Sequence, residues 1–332
     1  MITLTSVDFS ELDSTAKAHT HTLPIEQTSV WARYQNTIDG RRPWGAYLIQ
    51  QNGELLGFIS LIEFTTHGYR YLRSMHGPSW LAKPDEKTEA AFLQALVADV
   101  RARDPKVVFL RVDTWYEAMT TPVLSTVPYD QTVVISLEDS DDEILNRMKS
   151  RGRRDVRKAL RECDAVCSDE TEQAYQDFSP YYAIMQQTAQ RDGFSCSPMS
   201  DYSDMLQSLG KEHCRVFAAR LDGQVLSWSI VTLSGTRAVR YYAGMRSDAM
   251  RMHVTDKLVY CECCLLAHMG IKDYDLMGIG SDFAPSLKRL NEFKTKFTTQ
   301  ITPVAAGRDI AVRPLFYRSL TLAKKLKTAL GR

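Results

Sequence analysis

Two stretches of the chain repeat the same pattern of apolar and polar positions. Residues 44–62 (WGAYLIQQNGELLGFISLI) and residues 214–233 (CRVFAARLDGQVLSWSIVTL) each consist of an apolar run, an Asn-Gly or Asp-Gly pair and a second apolar run. Such a pair between two apolar runs is the strongest short-range signal for a β-hairpin. The pattern therefore predicts two hairpins, which lie roughly 165 to 170 residues apart along the chain.

The segments that follow the two hairpins also repeat. After the first come YRYLRSMHGP, a helical segment around residues 85–103 and the strand VVFLRVD; after the second come RAVRYYAGM, a helical segment around residues 253–269 and the strand YDLMGIG. A strand–helix–strand order with one crossover usually forms a parallel pair, and self-similarity over so long a period indicates a duplicated domain. We therefore predict an α/β protein with two tandem domains of mixed sheet, each similar to an N-acyltransferase fold.

A strongly basic segment separates the two copies. Eight of the fifteen residues in 147–161 (RMKSRGRRDVRKALR) are Lys or Arg, although the net charge of the whole chain is only +1. The Ser and Asp residues at 140–142 suit the N-terminus of a helix, and apolar residues follow at helical spacing. These apolar positions are Leu145, Met148, Val156, Ala159 and Leu160. We predict one helix that faces a core along this stripe, with a kink at Gly152.

The basic residues of this helix share one face. Five of them step along the chain by four or three residues, namely Arg147, Arg151, Arg154, Lys158 and Arg161. Side chains at this spacing are neighbours on a helix surface, where like charges repel. Either the face is simply solvated, or an anionic partner lies against it.

Composition and cysteine content are typical of intracellular globular proteins. The chain has 332 residues, of which 44% are hydrophobic and 24% charged, as expected for about two domains. It shows no secretory signal and no run of about 18 apolar residues, so no transmembrane helix is predicted. The seven Cys are irregularly spaced, so no disulfide framework is expected, and the cluster at 261–264 fits an apolar helix.

Several common catalytic motifs are missing from the sequence. There is no Gly-x-Ser-x-Gly elbow, no Walker or Gly-x-Gly-x-x-Gly loop, and no His-Glu-x-x-His. The chain also lacks the Arg/Gln-x-x-Gly-x-Gly/Ala loop with which an acetyltransferase holds the pyrophosphate of coenzyme A. One late segment, SLKRLNEFKTKFTTQ at 286–300, alternates bulky and charged residues, and it is either an amphipathic surface segment or part of a site.

Six segments form an ordered set of motifs along nearly the whole chain. They are QTSVWARYQ (27–35), MHGP (75–78), FLRVD (109–113), RMKSRGRRDVRKAL (147–160), TAQRDGF (188–194) and YDLMGIG…NEFKTKF (274–297). In this order they resemble the motifs of the Fem family (FemABX) of aminoacyl-tRNA-dependent peptidyltransferases, which extend the peptidoglycan stem peptide. Three positions depart from the family pattern: Gln35 replaces a Lys, His76 replaces the Arg of an Arg-Gly-Pro motif, and Thr298 replaces a Gly.

The resemblance implies two tandem GNAT-like domains, residues 1–143 and residues 144–307, with a C-terminal helix in 308–332 that packs on the first domain. In this helix one face is lined by Phe316, Leu320, Ala323, Leu326 and Leu330, beside Lys324, Lys325 and Lys327. The long coiled-coil arm that some relatives insert into the second domain is not expected, because residues 172–213 are too few to form it.

The resemblance also implies a reaction. The protein would transfer an amino acid from aminoacyl-tRNA to the side-chain amine of the peptidoglycan stem peptide, carried on UDP-MurNAc-pentapeptide or on lipid II. Aminolysis of the tRNA ester requires no protein nucleophile, and neither a metal nor a cofactor other than the aminoacyl-tRNA co-substrate is expected. We therefore expect a cytoplasmic aminoacyltransferase of interpeptide-bridge synthesis, with a role in cell-wall biogenesis and cell shape. If the acceptor is lipid-linked, the C-terminal lysines are expected at the inner membrane face.

The same resemblance assigns roles to single residues. Lys294 is expected to stabilise the oxyanion, and Phe293 to shape the pocket beside it. The acceptor site is expected to contain Arg191 and Asp113, with Arg33, or else Arg41 or Arg42, in place of the Lys at position 35. Tyr241 and Tyr242, in the matching strand of the second copy, should face opposite sides of the sheet, and Tyr242 is expected at the site. The phosphates of tRNA are expected to contact Arg147, Arg151, Arg154, Lys158 and Arg161. The structural alternatives are an Arg191–Asp192 pair that stabilises a loop, a turn capped by Asp113, and core packing of Tyr242.

Two other functions stay open at this point. One is an N-acyltransferase that uses acyl-CoA on a small amine, against which the missing pyrophosphate loop argues. The other is a non-catalytic module that binds RNA or an envelope precursor, against which the Phe293–Lys294 pair argues.

Overall fold

The computed structural model describes residues 1–329, and the chain divides into two units. Unit 1 comprises Met1–Asp130 and Val304–Arg332, and unit 2 comprises Gln131–Pro303. The predicted boundaries lay after residues 143 and 307. The observed ones differ because residues 131–136 form a strand within the sheet of unit 2, whereas residues 306–311 form a strand within the sheet of unit 1.

Over residues 1–329, runs of consecutive strands are separated by one or more helices. The strands are β1 (Ile2–Val7), β2 (Arg41–Gln51), β3 (Glu54–Thr66), β4 (Tyr69–Arg73), β5 (Ser79–Trp80), β6 (Val107–Thr114), β7 (Thr121–Pro122), β8 (Gln131–Ser136), β9 (Val166–Asp169), β10 (Cys214–Leu221), β11 (Gln224–Ser234), β12 (Arg237–Met245), β13 (Asp273–Gly278), β14 (Thr302–Pro303) and β15 (Ala306–Ala311). The helices are α1 (Phe9–Ala18), α2 (Ser29–Gln35), α3 (Glu86–Arg103), α4 (Asp141–Arg147), α5 (Ser150–Glu162), α6 (Thr171–Gln176), α7 (Ser179–Asp192), α8 (Met199–Leu209), α9 (Val254–His268), α10 (Asn291–Lys294) and α11 (Pro314–Ala329).

Each unit is built on its own mixed sheet. Over residues 1–329 the strand order in unit 1 is β1-β2-β3-β4-β6-β15-β7, with β5 paired to β3, and the order in unit 2 is β14-β8-β13-β12-β11-β10-β9. The main core of unit 1 lies between this sheet and α3, where Phe92, Leu96 and Val100 are fully buried. The corresponding helix of unit 2 is α9, which packs on β10 and β11.

The two predicted hairpins are confirmed. β2 and β3 pair through a turn at Asn52 and Gly53, and β10 and β11 pair through a turn at Asp222 and Gly223. All four turn residues have positive φ, from 48° to 86°. This is the geometry of a type I′ turn, whose twist matches that of the flanking strands.

Each hairpin is followed by a pair of parallel strands. The two strands stay hydrogen-bonded toward their ends in unit 1, whereas they separate in unit 2. In unit 1, β4 pairs with β6 as far as Arg73 and Arg111, and the amide of Asp113 then donates to the carbonyl of Gly77 at 2.9 Å. In unit 2, β12 and β13 pair only over Arg237–Val239 and Asp273–Asp275, although both strands continue. The second copy therefore leaves an unpaired edge where the first copy does not.

The basic segment forms two helices where one was predicted. α4 begins with a capping box between Ser140 and Glu143, and the chain is extended at Met148 before α5 begins. Gly152 lies inside α5 and does not mark the break. A Cβ atom at Gly152 would lie 2.2 Å from the carbonyl oxygen of Lys296, so the glycine is needed for close packing. Leu160, predicted to face the core, is 43% exposed, because the buried stripe of α5 runs through other positions.

The C-terminal helix contacts unit 1 through part of the face predicted and through Tyr317, which was not predicted. Leu320 packs against the cluster that contains Phe109, and the ring centroid of Phe316 lies 6.2 Å from that of Tyr69. Tyr317 is buried with its ring centroid 5.3 Å from that of Phe109, and its hydroxyl donates to Asp309 at 3.1 Å. Leu326, predicted to belong to the packed face, is 64% exposed, since it lies on the opposite side of α11. Leu330 lies outside the described residues. Over residues 1–329, no helix has the length and apolar character that crossing a membrane requires.

We expect Gly152→Ala to destabilise unit 2 by about 1–3 kcal/mol, the usual cost of overpacking. The new methyl group would collide with the main chain at Lys296, although alanine favours a helix over glycine by about 1 kcal/mol. Denaturant unfolding followed by circular dichroism measures the change. The control Leu160→Ala, on the exposed side of the same helix, should cost less than about 0.5 kcal/mol. A Gly152→Ala variant as stable as the parent would contradict the close contact.

Candidate active site

Lys294 lies at the open end of the parallel pair in unit 2. Its Nζ donates to the carbonyl oxygens of Met277 at 3.2 Å and Gly278 at 2.9 Å, at the end of β13. The register of β13 against β8 shifts between Asp275 and Gly278, and Met277 has a φ of +64°. A bulge of this kind turns main-chain groups out of the ladder. A protonated lysine has three N–H donors, so one donor remains for a substrate.

A short hydrogen-bonded connection holds Lys294 in place. α10 has only four residues, and its first residue, Asn291, makes two hydrogen bonds to Gly280. The Gly280 amide donates to Asn291 Oδ1 at 2.7 Å, and Asn291 Nδ2 donates to the Gly280 carbonyl at 2.8 Å. A Cβ atom at Gly280 would lie 2.2 Å from the amide nitrogen of Lys288. Gly280 and Asn291 of the MGIG…NEFK motif therefore both serve to position Lys294.

The surroundings of Lys294 lower its affinity for a proton. Burial, and to a lesser degree the positive charge of Arg240, lower the pKa of Lys294 to about 8, against an opposing effect of Asp275. Arg240 is itself fixed by a buried ion pair with Glu262, at 3.1 Å between Nε and Oε2. Glu262 also accepts hydrogen bonds from Ser229 and Tyr274, both at 2.5 Å. Lys294 is thus mostly protonated at pH 7 and loses its charge as the pH rises through 8.

Arg240 and Glu262 are functional candidates that the sequence analysis did not single out. Arg240 lies in RAVRYYAGM and Glu262 in YCECCLL, each a charged residue inside an apolar element. A charge at an interior position of an apolar strand or helix is costly unless it is paired. That conflict is the signal by which the two residues could have been found.

Arg191 holds the end of β12. Its guanidinium makes a two-pronged pair with Asp192, at 2.9 and 3.1 Å, and its Nη1 donates to the carbonyl of Met245, the last residue of β12, at 2.9 Å. Arg289, from the segment that precedes α10, donates to the carbonyl of Asp192 at 3.0 Å. The predicted Arg191–Asp192 pair is therefore present, and it lies at the same open edge as Lys294, because β12 and β13 run parallel.

Tyr242 packs on the face of the sheet opposite α9. The register of β12 against β11 shifts between Val231 and Ile230, so that Arg240 and Tyr242 are both paired while Tyr241 is bulged. The ring of Tyr242 lies edge-on to Tyr202 of α8, with centroids 4.9 Å apart. The bulge thus turns Tyr242 to the side away from Arg240.

A buried cluster of charges lies beside Phe293. The ammonium of Lys296 pairs with Asp155 of α5 at 3.3 Å and with Asp256 of α9. His253 Nδ1 lies 3.1 Å from Asp256. Asp155, His253 and Asp256 bring donor atoms within 4.8 Å of one another, as metal ligands do, but the Lys296 ammonium already neutralises the two carboxylates. Over residues 1–329 the three side chains are therefore described by their ion pairs with Lys296 and with one another.

Phe293 is half-buried and contributes to the same packing. Its ring lies edge-on to Phe297, at 5.3 Å between centroids, and the Lys296 nitrogen lies 5.2 Å from the Phe293 centroid. The two aromatic residues of the NEFKTKF motif therefore enclose Lys296, while Lys294 points to the end of β13.

All five residues of the predicted basic face are exposed, and four of them also have an acidic neighbour. Arg147, on α4, pairs with Asp139 and donates to the carbonyl of Ser136, and Arg151 pairs with Glu292 of α10 at 2.5 Å. On α5, Arg154 lies 3.4 Å from Asp155 and Arg161 lies 2.8 Å from Glu162.

A cavity of about 790 Å³ opens at the junction of α4 and α5. Three basic residues, Arg147, Lys149 and Arg153, contribute to its lining, together with Thr298 and Thr299. Thr298 is one of the positions that depart from the family pattern, so this departure lies in the wall of a basic cavity.

Three of the predicted motifs meet in unit 1. Gln27 donates to the carbonyl of Met75 at 2.7 Å, and a Cβ atom at Gly77 would lie 2.4 Å from Gln27 Nε2. His76, at a φ of +50°, lies 3.1 Å from the buried Glu26 and 3.1 Å from the hydroxyl of Tyr129.

Asp113 lies next to this cluster, because its amide donates to the carbonyl of Gly77. Burial raises the pKa of Asp113 to about 6, against the opposing effects of His76 and Arg73. The carboxyl group is therefore mostly ionised at pH 7.

The three arginines named as possible replacements for the lysine differ in their contacts. Arg41 Nη1 donates to the buried Gln35 side chain at 3.0 Å, and its guanidinium lies 4.8 Å from the centre of the Phe64 ring. Arg33 is exposed on α2 and donates to Ser29 at 3.3 Å. Arg42 pairs with the buried Glu63. Of the three arginines proposed from the sequence, Arg41 is thus the one that contacts Gln35.

We expect one lysine of the folded protein to titrate near pH 8. Burial and Arg240 lower the pKa of Lys294, whereas an exposed lysine titrates near 10.4. NMR titration of protein labelled with ¹³C at the lysine Cε measures each pKa. The signal should be missing in Lys294→Met and kept in the control Lys106→Met, which removes an exposed lysine of unit 1. If all lysines titrate above pH 10, the described environment of Lys294 is wrong.

Comparison with known proteins supports the fold. Residues 150–289 match the family model of the acetyltransferase (GNAT) domain. The crystal structure of FemX is similar over 95% of this chain and 99% of that chain, with a TM-score of 0.74 at 15% identity. No curated protein matches the chain in sequence.

Two further solved structures share the architecture. One is the C-terminal domain (DUF2156) of a putative lysylphosphatidylglycerol synthetase from Agrobacterium fabrum, with a TM-score of 0.55 at 13% identity over 91% of this chain and 92% of that chain. The other is a tandem GNAT protein from the clavulanic acid biosynthesis pathway, with a TM-score of 0.51 at 11% identity over 93% of this chain and 97% of that chain.

At these identities the solved structures establish the fold, while the GNAT match adds the class of enzyme. The chain therefore has the tandem GNAT-like fold of FemX, as the resemblance to the Fem family predicted, and it is an acyl-group transferase.

Proposed function

We propose that the protein transfers an amino acid from aminoacyl-tRNA to the side-chain amine of a peptidoglycan stem peptide. The observation that carries this proposal is the ammonium of Lys294. It is half-buried, it is fixed on two carbonyl oxygens at the open end of β12 and β13, and it keeps one N–H donor for a substrate.

The proposed reaction matches what this site offers. The acceptor amine attacks the ester carbonyl carbon, and the electron pair of the C=O bond moves to the oxygen, which the free N–H of Lys294 stabilises. Collapse of the intermediate expels the ribose oxygen of the tRNA, which takes up the proton that the amine loses. Because the ester is already activated, positioning and charge stabilisation suffice. A preorganised donor of this kind contributes about 10²–10³ in rate.

The exposed basic residues of α5 are the proposed contact for the donor. Arg154, Lys158 and Arg161 follow one another on the exposed side of the helix. Lysine and arginine bind nucleic-acid phosphates without reading sequence. Arg147 and Arg151 are also part of the proposed contact for tRNA. Arg147 lines the basic cavity, and Arg151 pairs with Glu292 of α10.

The cluster in unit 1 is the proposed contact for the acceptor. Asp113 offers a carboxylate at neutral pH, and Arg41 offers a guanidinium beside Gln35, where the family has a lysine. A guanidinium binds phosphate oxygens in two-pronged fashion. Arg191 and Tyr242 have the proposed role of holding β12, since Arg191 binds Asp192 and Met245 and Tyr242 packs on Tyr202.

The acyl-CoA reaction is the second candidate, and the GNAT match favours it. In such enzymes the pyrophosphate binds at a helix N-terminus. The helix in question is α9, and residues 246–253, which precede it, contain no glycine and so lack the Arg/Gln-x-x-Gly-x-Gly/Ala loop of such enzymes. This argues for the tRNA ester as the donor.

Mass spectrometry of an acceptor mixture tests the proposal. The protein is incubated with UDP-MurNAc-pentapeptides that carry lysine or another diamino acid, with lipid II equivalents, and with total tRNA charged with all amino acids. A mass gain of one amino acid that ribonuclease abolishes is the expected result, and it identifies donor and acceptor together. A gain only with acetyl-CoA supports the second candidate, and binding of tRNA or precursor by folded protein without turnover supports a non-catalytic module.

We expect Lys294→Met to lower kcat by about 10²–10³-fold, because the oxyanion loses its donor. Circular dichroism should show an unchanged fold. In the parent protein, turnover should rise with pH while the acceptor amine, with a pKa near 10.4 if it is a lysine-type amine, loses its proton, and it should level off at about pH 8, where Lys294 also loses its proton. The control Lys296→Arg keeps the buried positive charge and should level off at the same pH. Near-normal turnover by Lys294→Met would refute the assigned role.

We expect Arg154→Glu with Lys158→Glu to weaken tRNA binding about tenfold or more, and to lower the slope of log affinity against log salt by about 1–2. Filter binding at several salt concentrations measures both. The control Lys211→Glu with Lys272→Glu makes the same change in net charge elsewhere on unit 2, at exposed residues. Equal losses in both variants would mean that only the net charge matters.

A further inference from the structure

Three leucines form an unpartnered stripe on α11. Leu315, Leu322 and Leu326 are 81%, 61% and 64% exposed. Their spacing of seven and four residues places them on one face of the helix. We call Leu315, Leu322 and Leu326 the leucine stripe.

The leucine stripe lies on the side of α11 that faces away from unit 1. The packed side carries Tyr317, which is buried against Phe109, together with the half-buried Leu320 and Thr321. At 100° per residue, Tyr317 lies about 160–180° around the helix from Leu315 and Leu326. The exposure of the stripe is therefore a consequence of how the helix is anchored.

Basic residues border the leucine stripe along one side. Arg318 and Lys325 are exposed and lie four residues before and three residues after Leu322, so they adjoin the stripe. Residues 313–332 contain six Lys or Arg and no Asp or Glu, in a chain whose net charge is only +1. The positive charge of this segment is therefore concentrated beside exposed leucines.

A groove next to the helix has the same character. It encloses about 680 Å³ between α11 and residues 121–124, with Pro122, Val123 and Leu124 on one side. Lys324 and Lys325 contribute to its other side. Tyr317 and Thr321 also line the groove, so it lies on the packed side of α11 and is separate from the leucine stripe.

We propose that α11 docks on the surface of a membrane that contains anionic phospholipids. The leucine stripe would enter the boundary between headgroups and acyl chains, and Arg318 and Lys325 would meet lipid phosphates. A helix with exposed leucines on one face and only basic charges beside them is the kind that lies in the membrane interface, and each basic residue near an anionic surface adds to the attraction. The proposal rests on no part of the proposed catalytic function.

The same features disfavour two other occupants. RNA would attract the arginine and the lysines but would leave the leucines in water. A second copy of the chain could cover the leucines, but it would bring basic flanks against basic flanks, because the segment has no acidic residue. Juxtaposed like charges oppose association.

Sedimentation with lipid vesicles tests the proposal on the full chain. Vesicles of mixed phosphatidylglycerol and phosphatidylcholine are compared with vesicles of phosphatidylcholine alone, at low and high salt. We expect binding to the anionic vesicles only, weakened by salt. Leu322→Gln with Leu326→Gln should lower the partition coefficient at least about tenfold, and Arg318→Gln with Lys325→Gln should lower it about tenfold and reduce its salt dependence.

Matched variants separate this surface from general stickiness. Val127→Gln with Val166→Gln removes two exposed apolar residues elsewhere, and Lys17→Gln with Lys106→Gln removes two exposed charges elsewhere; both should bind as the parent does. The proposal would be overturned if the protein bound neutral vesicles as strongly as anionic ones, or if both α11 variants bound anionic vesicles as strongly as the parent. It would also be overturned if the protein did not bind vesicles but formed a concentration-dependent dimer that the leucine variant abolished. Since no substrate is involved, an inactive enzyme leaves this test unaffected.

Discussion

The buried ammonium of Lys296 connects the parts of unit 2 on which the site depends. It pairs with Asp155 of α5 and Asp256 of α9, while its own main-chain carbonyl accepts from the amide of Lys149 at 3.1 Å and contacts Gly152. Removing one partner from a buried pair typically costs about 3–5 kcal/mol, because a charge is left unpaired. Lys296 lies two residues after Lys294, so the same contacts that fix α5 also fix the segment that presents Lys294.

This arrangement couples the two surfaces that the proposed reaction needs. The exposed arginines and lysine of α5 lie on the side of the helix opposite the stripe with Asp155 and Gly152. A second link, between Arg151 and Glu292, joins α5 to α10 directly. A polyanion bound on α5 would therefore rest on an element that is joined by these contacts to the segment carrying Lys294.

The two copies of the duplicated fold share one topology but differ in how their central parallel strands pair. In unit 1 the loop after β4 stays paired with β6 through Gly77 and Asp113, and the motif residues around it bind one another. In unit 2 the equivalent strands part after Val239. Arg191 binds the carbonyl at the end of β12, and Lys294 binds the carbonyl at the end of β13. The physical difference is local, since β12 and β13 each lose register by a bulge.

The sequence alone determined the hairpins, the duplication and the ordered motifs, because Asn-Gly turns, apolar periodicity and short motifs are local signals. It also pointed to Lys294, although only through resemblance. Tertiary structure decided what these residues do to one another. Gly152 proved to be a packing contact rather than a kink, Arg41 rather than Arg33 reached Gln35, and Leu326 faced outward rather than inward. Each of these outcomes depends on which distant segment lies against the residue, and no local pattern encodes a contact between residues that are far apart along the chain.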